Sequence, residues 1–188
     1  MSSLLKSCLN CRAILPNNLK YLRSDVPLAS TEEEIDWLLH NNIQSIVDLR
    51  SEEEQRKKPC SLFSRSEFQY YSMPVNGGNA IPPNTDSVSL SYLAMVDDQM
   101  MKILQTIENV NGGVLYFCSA GKDRTGVVSA LLLKRHGFDD EYIIQDYLLS
   151  AENLKEMLVQ FSDQTSIDLQ IITPQKRYME EFLAQYQK

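Results

Sequence analysis

Short apolar runs separated by polar stretches predict the strands of this chain. Residues 113–117, Gly-Val-Leu-Tyr-Phe, form a brief β-prone run just after a glycine turn and predict a buried strand. Residues 45–49 and 68–75 predict two more buried strands, and residues 19–23 predict a strand at the edge of the sheet. All these runs lie between residues 19 and 117.

Helical periodicity fills the segments between and after these runs. Thr31 and Glu34 form a capping box that begins a helix near residue 31, and two asparagines at 41 and 42 end it. The stretch 127–133 is apolar almost all round, is followed by basic residues and a glycine, and predicts a buried helix. A further helix begins after the aspartates at 139 and 140, whereas residues 163–172 are ambiguous.

Two more helices and one loop complete the pattern. A long helix is predicted where apolar residues recur at helical spacing, namely Leu93, Val96, Met100, Leu104 and Ile107. Thr173 and Pro174 begin the last helix, which turns apolar residues inward, namely Tyr178, Met179, Phe182 and Leu183. Residues 76–86 are rich in glycine, proline and asparagine, so they predict a loop and the best candidate for a lid over a ligand.

Strands that alternate with helices predict an α/β fold. We expect a mostly parallel central sheet of four or five strands, flanked by helices. The chain has no repeat, low-complexity tract or linker, and 43% apolar with 23% charged residues is ordinary for a globular protein. Residues 1–188 are therefore expected to form a single domain.

The net charge of the chain limits the classes of partner that it is expected to bind. A net charge of −7 argues against nucleic acid, since phosphate backbones select basic surfaces. It also disfavours broad adhesion to anionic membranes, although the basic tripeptide 56–58 could dock locally. Without a run of about 18 apolar residues or a secretory leader, we expect no integral membrane association and a cytoplasmic protein.

The most informative segment is residues 118–126, Cys-Ser-Ala-Gly-Lys-Asp-Arg-Thr-Gly, which joins a predicted strand to a predicted helix. At such a junction backbone N–H groups point inward and the helix dipole adds partial positive charge, so a dianion is held. A glycine at 121 lets the backbone bend closely around it. The segment predicts a phosphate-binding loop whose binding residues are Ser119, Ala120, Gly121, Lys122, Thr125 and Gly126.

Cys118 and Arg124 give this loop its chemistry. The positive field favours a thiolate over a thiol, so Cys118 is expected to be an ionised nucleophile at neutral pH. Arg124 can present two donors to two phosphate oxygens and hold them as charge develops. Thr125 can offer its hydroxyl to the sulfur when a phosphocysteine is hydrolysed.

Three competing kinds of segment fit the loop less well. An apolar strand often ends in an inert buried cysteine, but this one is followed by glycine, lysine, aspartate and arginine in a strand-loop-helix context. A P-loop nucleotide site fails because Tyr116 stands at its first glycine and Asp123 replaces its hydroxyl residue. Sulfurtransferases also place a cysteine loop after a strand, but Lys-Asp-Arg-Thr at 122–125 fits them poorly.

The loop resembles the active-site signature of the cysteine-based protein tyrosine phosphatase superfamily. Its variant Cys-x-x-Gly-Lys-Asp-Arg-Thr-Gly is similar to that of the atypical bacterial tyrosine and lipid phosphatases. The likeness extends to residues 22–25 and to residues 46–51 with Glu54. The resemblance implies a phosphatase-like fold and a metal-independent enzyme without a cofactor, of a group that often accepts phosphotyrosine, phosphoserine or phosphothreonine, and phosphoinositides.

Phe117 departs from that superfamily. Histidine usually precedes the nucleophile, where its hydrogen bonds shape the loop and keep the sulfur ionised. We therefore expect Cys118 to ionise less readily than in its relatives, or to rely more on the helix dipole. The departure also motivates an alternative hypothesis, a non-catalytic pseudophosphatase that binds phosphorylated partners.

The general acid is the second departure. Many superfamily members carry it as an aspartate on a separate loop, here residues 73–79, which contain none. The atypical bacterial group uses the aspartate inside the loop, which matches Asp123, and a neighbouring phosphate suits that residue to proton donation. Alternatively, Asp123 only hydrogen-bonds the loop or pairs with Lys122. Asp86 is the reserve acid if its segment folds over the site.

Several other residues receive supporting roles. Lys122 is either an extra cation at the mouth, favouring multiply phosphorylated head groups, or a solvated loop charge. Asp48 and Arg50 are expected to support the loop by hydrogen bonds or a salt bridge, and Arg23 is similar, with a chance of touching substrate. The pair Cys8 and Cys11 lacks a second pair for a zinc site.

These residues together predict a phosphomonoesterase of the protein tyrosine phosphatase type, possibly of dual specificity. Cys118, Arg124 and Asp123 are its catalytic residues, and a phosphocysteine is its intermediate. The substrate is a phosphorylated protein or, alternatively, a phosphoinositide. Both substrate classes and the oligomeric state stay open at this point.

Overall fold

The computed structural model describes residues 3–186 and contains a five-stranded sheet. Its strands are β1 (Arg12–Leu15), β2 (Asn18–Ser24), β3 (Ile43–Asp48), β4 (Gln69–Ser72) and β5 (Gly113–Phe117). They lie side by side in the order β1-β2-β5-β3-β4. β1 is antiparallel to β2, and the other pairings are parallel. The predicted mostly parallel α/β sheet flanked by helices is confirmed.

Helices connect and cover these strands. They are α1 (Glu32–His40), α2 (Glu52–Lys57), α3 (Val88–Leu93), α4 (Asp98–Asn109), α5 (Arg124–Arg135), α6 (Asp140–Asn153), α7 (Lys155–Thr165), α8 (Leu169–Ile172) and α9 (Lys176–Tyr186), with a 3₁₀ turn at Thr85–Ser87 before α3. Within residues 3–186, no helix combines the length and apolar character needed to cross a bilayer.

The central strand β5 separates two apolar cores. Its side chains alternate between the two faces of the sheet, as the pleat of a strand requires. Val114 and Tyr116 pack in the larger core, which also holds apolar residues of α3, α4, α5, α6 and α9. Leu115 and Phe117 pack in the smaller core with residues of α1 and of the segment before β1. β5 is therefore buried on both faces, and the loop that follows it begins inside the protein.

The predicted edge strand is not at the edge. β2 lies between β1 and β5, and β1 occupies the outer position through a hairpin whose turn includes Asn17, at a φ of 55°. The apolar pattern missed β1 because this short strand begins with Arg12, whose charged side chain is buried rather than exposed. The proline and asparagine at 16 and 17 were the available turn signal.

The predicted long helix is two helices. α3 ends at Leu93 and α4 begins at Asp98, because Asp97 adopts an extended conformation and its carboxylate accepts a hydrogen bond from the Met100 N–H at 2.9 Å. That side chain caps a new helix and interrupts the old one. The predicted strand 68–75 is shorter, and the ambiguous segment 163–172 contains the end of α7 and all of α8.

Candidate active site

The loop of residues 118–123 connects the carboxyl end of β5 to α5. Cys118 follows the last residue of β5 directly and is buried, at 3% exposure. Gly121 has a φ of 68°, and a Cβ atom there would lie 2.3 Å from the carbonyl oxygen of Ser24. Only glycine fits this position, so the loop packs closely against the end of β2.

The backbone N–H groups of residues 119–124 have no hydrogen-bond acceptor within the part of the chain that the structure describes. Helical bonding begins with the Val127 N–H, which donates to the Asp123 carbonyl at 2.8 Å. Unpaired donors at the amino end of a twelve-residue helix favour an anion, since the helix dipole adds partial positive charge. The loop is therefore equipped to bind an oxyanion beside Cys118.

Arg124, the first residue of α5, points its guanidinium at Glu54 of α2. Nη1 and Nη2 each lie 2.7 Å from a Glu54 oxygen, and the Ser119 hydroxyl donates to Oε1 at 2.6 Å. The hydrogen bonds from Arg124 hold the pKa of Glu54 far below its ordinary range. Burial would lower the pKa of Arg124, but the hydrogen bonds to Glu54 and the nearby acidic groups of Cys118, Glu54 and Asp123 together outweigh it, and the pKa is raised. Glu54 thus fixes the guanidinium beside the loop.

Sequence reasoning gave Glu54 no role in the site. A local signal existed, because Ser51 and Glu54 form a capping box, in which the Ser51 N–H donates to Oε2 at 2.9 Å. The box holds the carboxylate at the beginning of α2. The sequence around Glu54 does not indicate that its partner is Arg124, which lies far along the chain.

The loop of residues 76–84 contacts Arg124. Asn79 accepts a hydrogen bond from Nη1 at 3.1 Å, and a Cβ atom at Gly78 would lie 3.0 Å from the arginine Cγ. Both residues also line a groove of about 540 Å³ whose other walls are mostly apolar, among them Ile81, Pro82, Pro83 and Leu90. The segment proposed as a lid therefore reaches the site and forms a groove next to it.

Asp123 has a partner on each carboxylate oxygen. Tyr92 donates its hydroxyl to Oδ1 at 2.7 Å, and the Lys122 ammonium lies 2.6 Å from Oδ2. Tyr92 is buried and its hydroxyl lies 2.7 Å from that of Tyr147, also buried. The alternative pairing of Asp123 with Lys122 is therefore present. Lys122 is not a solvated charge, since its side chain is only 12% exposed.

Asp86, the reserve acid, is not brought to the loop. Its side chain is 87% exposed and lies 3.5 Å from Arg177 of α9. Its segment forms the short 3₁₀ turn before α3.

The remaining loop residues surround this centre. Thr125 is buried, and its hydroxyl has no hydrogen-bond partner among residues 3–186. Gly126 packs against the ring of Tyr147, where a Cβ atom would lie 3.3 Å from it. Ala120 is half-buried against a small apolar cluster made of Leu154, Leu158 and Ile172. The structure thus brings all the predicted loop residues to one place.

Two buried arginines support the loop from the sheet. Arg23 is fully buried, so it has no access to a substrate, and its Nη2 donates to the Gly121 carbonyl at 2.9 Å. Arg50 pairs with Asp48 at 2.6 Å, and its guanidinium lies 5.4 Å from the centre of the Phe117 ring. A cation–π contact therefore holds the aromatic residue that precedes Cys118.

The other cysteines are buried free thiols. Burial raises the pKa of Cys60 to about 11 and that of Cys8 to about 12. Such thiols stay protonated at neutral pH and are unreactive. Among residues 3–186, no group of three or more His, Cys, Asp or Glu side chains is placed to hold a metal ion.

Comparison with known proteins gives a family match over most of the chain. A sequence model of the tyrosine phosphatase family matches residues 17–188. A tyrosine-protein phosphatase of Nostoc commune is 27% identical over 135 residues, which cover 66% of this chain and 46% of that protein. A triple specificity protein phosphatase, PtpB of Mycobacterium tuberculosis, is 44% identical over 50 residues, 27% of this chain and 18% of that protein.

The chain spans about half the length, or less, of these curated relatives. Among solved structures, P. aeruginosa TpbA is similar with a TM-score of 0.45 and 15% identity, over 94% of this chain and 96% of that one. The catalytic core of Siw14 is similar with a TM-score of 0.48 and 17% identity, over 91% and 83%.

Proposed function

Because this chain belongs to the tyrosine phosphatase family, we propose that it is a cysteine-dependent phosphomonoesterase with Cys118 as its nucleophile. One observation carries the proposal. The N–H groups of residues 119–124, which follow Cys118 directly in the chain, have no acceptor among the described residues, and Arg124 is held at the same loop. A tetrahedral phosphate needs this combination of donors, a nucleophile and a fixed guanidinium.

The first step is transfer of the phosphoryl group to sulfur. The Cys118 thiolate attacks phosphorus in line with the leaving oxygen, so that a P–S bond forms as the P–O bond breaks. The loop N–H groups and Arg124 hold the three remaining oxygens as charge develops. Asp123, whose protonated form is favoured by the negative charge of a bound phosphate, gives its proton to the leaving oxygen. The phosphate also offers Lys122 a second anionic partner besides that carboxylate.

The second step is hydrolysis of the phosphocysteine. Water attacks phosphorus, Asp123 accepts a proton from that water, and the P–S bond breaks. The products are inorganic phosphate and the regenerated thiolate. Thr125, whose buried hydroxyl has no partner among the described residues, lies at the amino end of α5, and its proposed role is to donate to the departing sulfur.

The groove beside Arg124 supports an aryl phosphate as substrate. Its mostly apolar walls at Ile81, Pro82, Pro83 and Leu90 suit an aromatic ring better than a ring that carries a hydroxyl group on each carbon, as inositol does. We therefore propose phosphotyrosine in a protein as the substrate. The name of the Nostoc relative, tyrosine-protein phosphatase, agrees with this choice.

We also propose that the protein works in the cytoplasm. A catalytic thiolate has to stay reduced, and the other three cysteines are free thiols in this structure. Cytosolic thiols are kept reduced, whereas oxidising compartments favour disulfides.

Turnover of p-nitrophenyl phosphate in EDTA tests the proposed activity. The parent protein is expected to release phosphate, and Cys118→Ser is expected to release none above background. Activity that survives this substitution would contradict the assignment of the nucleophile. A parent that binds phosphate but never hydrolyses the ester would instead be the pseudophosphatase.

Substrate choice is tested by measuring kcat/KM on a phosphotyrosine peptide and on a soluble phosphoinositide side by side. We expect the peptide to be preferred. Leu90→Asn, which places a polar group in the groove, is expected to raise KM for the peptide and leave hydrolysis of small phosphate esters near the parent value. A preference for the phosphoinositide would overturn the substrate assignment, but it would not contradict the proposed phosphocysteine mechanism.

A further inference from the structure

A cluster of buried polar side chains lies beneath Gly121 of the phosphate loop. It consists of five residues, each at most 8% exposed, namely Asn10, Arg12, Arg23, Asp146 and Ser150. Arg12 and Arg23 both pair with the Asp146 carboxylate, Arg12 through Nε at 2.8 Å. The cluster therefore joins the segment before β1, strand β2 and helix α6 at one point.

The side-chain amide of Asn10 can take only one orientation in this cluster. Its Oδ1 accepts hydrogen bonds from Arg12 Nη1 and, at 3.1 Å, from Asn153 Nδ2. Its Nδ2 donates to the Gly121 carbonyl at 3.0 Å and to the Ser150 hydroxyl at 3.1 Å. A flipped amide would place a donor against two donors and an acceptor against a carbonyl, so Asn10 has to present its N–H groups to Gly121.

The Gly121 carbonyl accepts a second hydrogen bond, from Arg23 Nη2 at 2.9 Å. In a trans peptide the carbonyl and the next N–H point in opposite directions. Holding the Gly121 oxygen down into the cluster therefore points the Lys122 N–H, one of the unpaired donors, to the other side of the loop. Donors on the carbonyl also polarise the peptide and strengthen that N–H as a donor.

Stability alone does not account for the cluster. Burial and the neighbouring Arg23 charge lower the pKa of Arg12 to about 10, which shows the cost of holding two guanidiniums together inside the protein. Apolar side chains of similar volume would fill the same space as well or better. They could not hold a backbone carbonyl in place.

We propose that Asn10 is a positioning residue of the phosphate loop: together with Arg23 it fixes the Gly121–Lys122 peptide so that the Lys122 N–H faces the bound oxyanion. Asn10 precedes residues 17–188, the part that matches the family. The inference rests on the proposed function for the identity of the oxyanion as a phosphate.

The test compares oxyanion binding in two variants of Asn10 and a control. Asn10→Asp puts an oxygen against the Gly121 carbonyl, and Asn10→Ala removes the donor without adding charge. Asn153→Ala is the control, because it removes a hydrogen bond to Asn10 Oδ1 but no contact with Gly121. Tungstate affinity is measured by calorimetry at a temperature where urea unfolding shows every variant to be folded.

We expect the tungstate dissociation constant to rise roughly 10-fold or more in Asn10→Asp and about 2- to 10-fold in Asn10→Ala, as loss of one hydrogen bond implies. Asn153→Ala is expected to stay within about twofold of the parent. Should Asn10→Asp not fold, Asn10→Ala decides the question. The same variants are expected to lose kcat/KM on p-nitrophenyl phosphate in parallel.

Two results would overturn the proposal. One is a pair of Asn10 variants that are less stable but bind tungstate as the parent does, since a purely structural role predicts that outcome. The other is a parent protein that binds no tungstate. A parent that binds tungstate, with the expected losses in the variants, but hydrolyses no phosphate ester would refute the proposed function and leave the positioning role in place.

Discussion

At the scale of single residues, the guanidinium of Arg124 is oriented by neighbouring side chains of the protein itself. Glu54 accepts from both of its terminal nitrogens, and Asn79 accepts a further hydrogen bond from one of them. Because folding already orders this side chain, a phosphate does not bear the entropy cost of ordering it.

The role of Asp123 is the sharpest prediction at this scale. If Asp123 protonates the leaving oxygen, Asp123→Asn will slow hydrolysis of an alkyl phosphate, whose leaving group needs the proton, by about 10²- to 10⁴-fold. A p-nitrophenyl ester, whose leaving group is stable as an anion, will be slowed much less. Steady-state kcat/KM on the two esters measures the difference.

Asp86→Asn serves as the matched control for that experiment. This exposed carboxylate lies against Arg177 and not at the loop, so its removal is expected to leave both rates near the parent values. Equal slowing of the two esters by Asp123→Asn would mean that Asp123 only holds Lys122 and Tyr92 in place.

At the scale of elements, the turn between α3 and α4 shapes the approach to the site. Asp97 caps α4 through Met100, and its other oxygen accepts a hydrogen bond from Asn76 at 2.7 Å. Asn76 lies in the same loop as Asn79, and Asn79 contacts Arg124. One carboxylate therefore ends the α3–α4 turn and also holds the loop beside Arg124.

Removal of this cap is expected to cost stability. Asp97→Ala should lower the free energy of unfolding by about 0.5–2 kcal/mol, the usual effect of losing an N-cap side chain. Urea unfolding at neutral pH gives the value. Asp98→Ala, at the neighbouring carboxylate in the first turn of α4, is expected to change it by no more than about 0.5 kcal/mol; similar losses in both variants would argue against the cap.

At the scale of the whole molecule, stability is expected to fall in acid. Hydrogen bonds from Arg124 lower the pKa of Glu54. Burial would raise the pKa of Asp146, but the charges of Arg23 and Arg12 outweigh it, and the pKa is lowered. Below about pH 4 the unfolded chain therefore binds more protons than the folded chain does. The stabilisation from the Glu54 and Asp146 carboxylates is complete above that pH and is lost as the pH falls through their pKa values in the folded protein.

Glu54→Gln isolates one of these contributions. The difference in unfolding free energy between the parent and this variant is expected to narrow as the pH falls from about 7 to about 3. Urea titrations at each pH measure the difference, and Glu52→Gln, at an exposed position of the same helix, is the control. A difference that stays constant with pH would contradict the assigned pKa direction.

Local patterns explain which parts of the molecule the sequence could predict. Several signals act through neighbours in the chain, namely the apolar run before Cys118, the glycine at 121 and the capping boxes. The central sheet and the residues of the loop could therefore be predicted from the sequence. The roles of Glu54 and Asn10 were not, because their partners lie 70 and 111 positions away. A periodicity or a motif carries no information about contacts at such separations.

The same separations set an order of events during synthesis. Arg12 and Asp146 are 134 positions apart, and a ribosome that adds roughly 5–20 residues per second needs about 7–27 s to travel between them. Once Arg23 has been added, the nascent chain carries both arginines without their shared carboxylate. When Gly121 has been added as well, the cluster that binds its carbonyl is still incomplete. The loop of residues 118–123 thus takes its final shape only when α6 is made, after the proposed nucleophile itself has been translated.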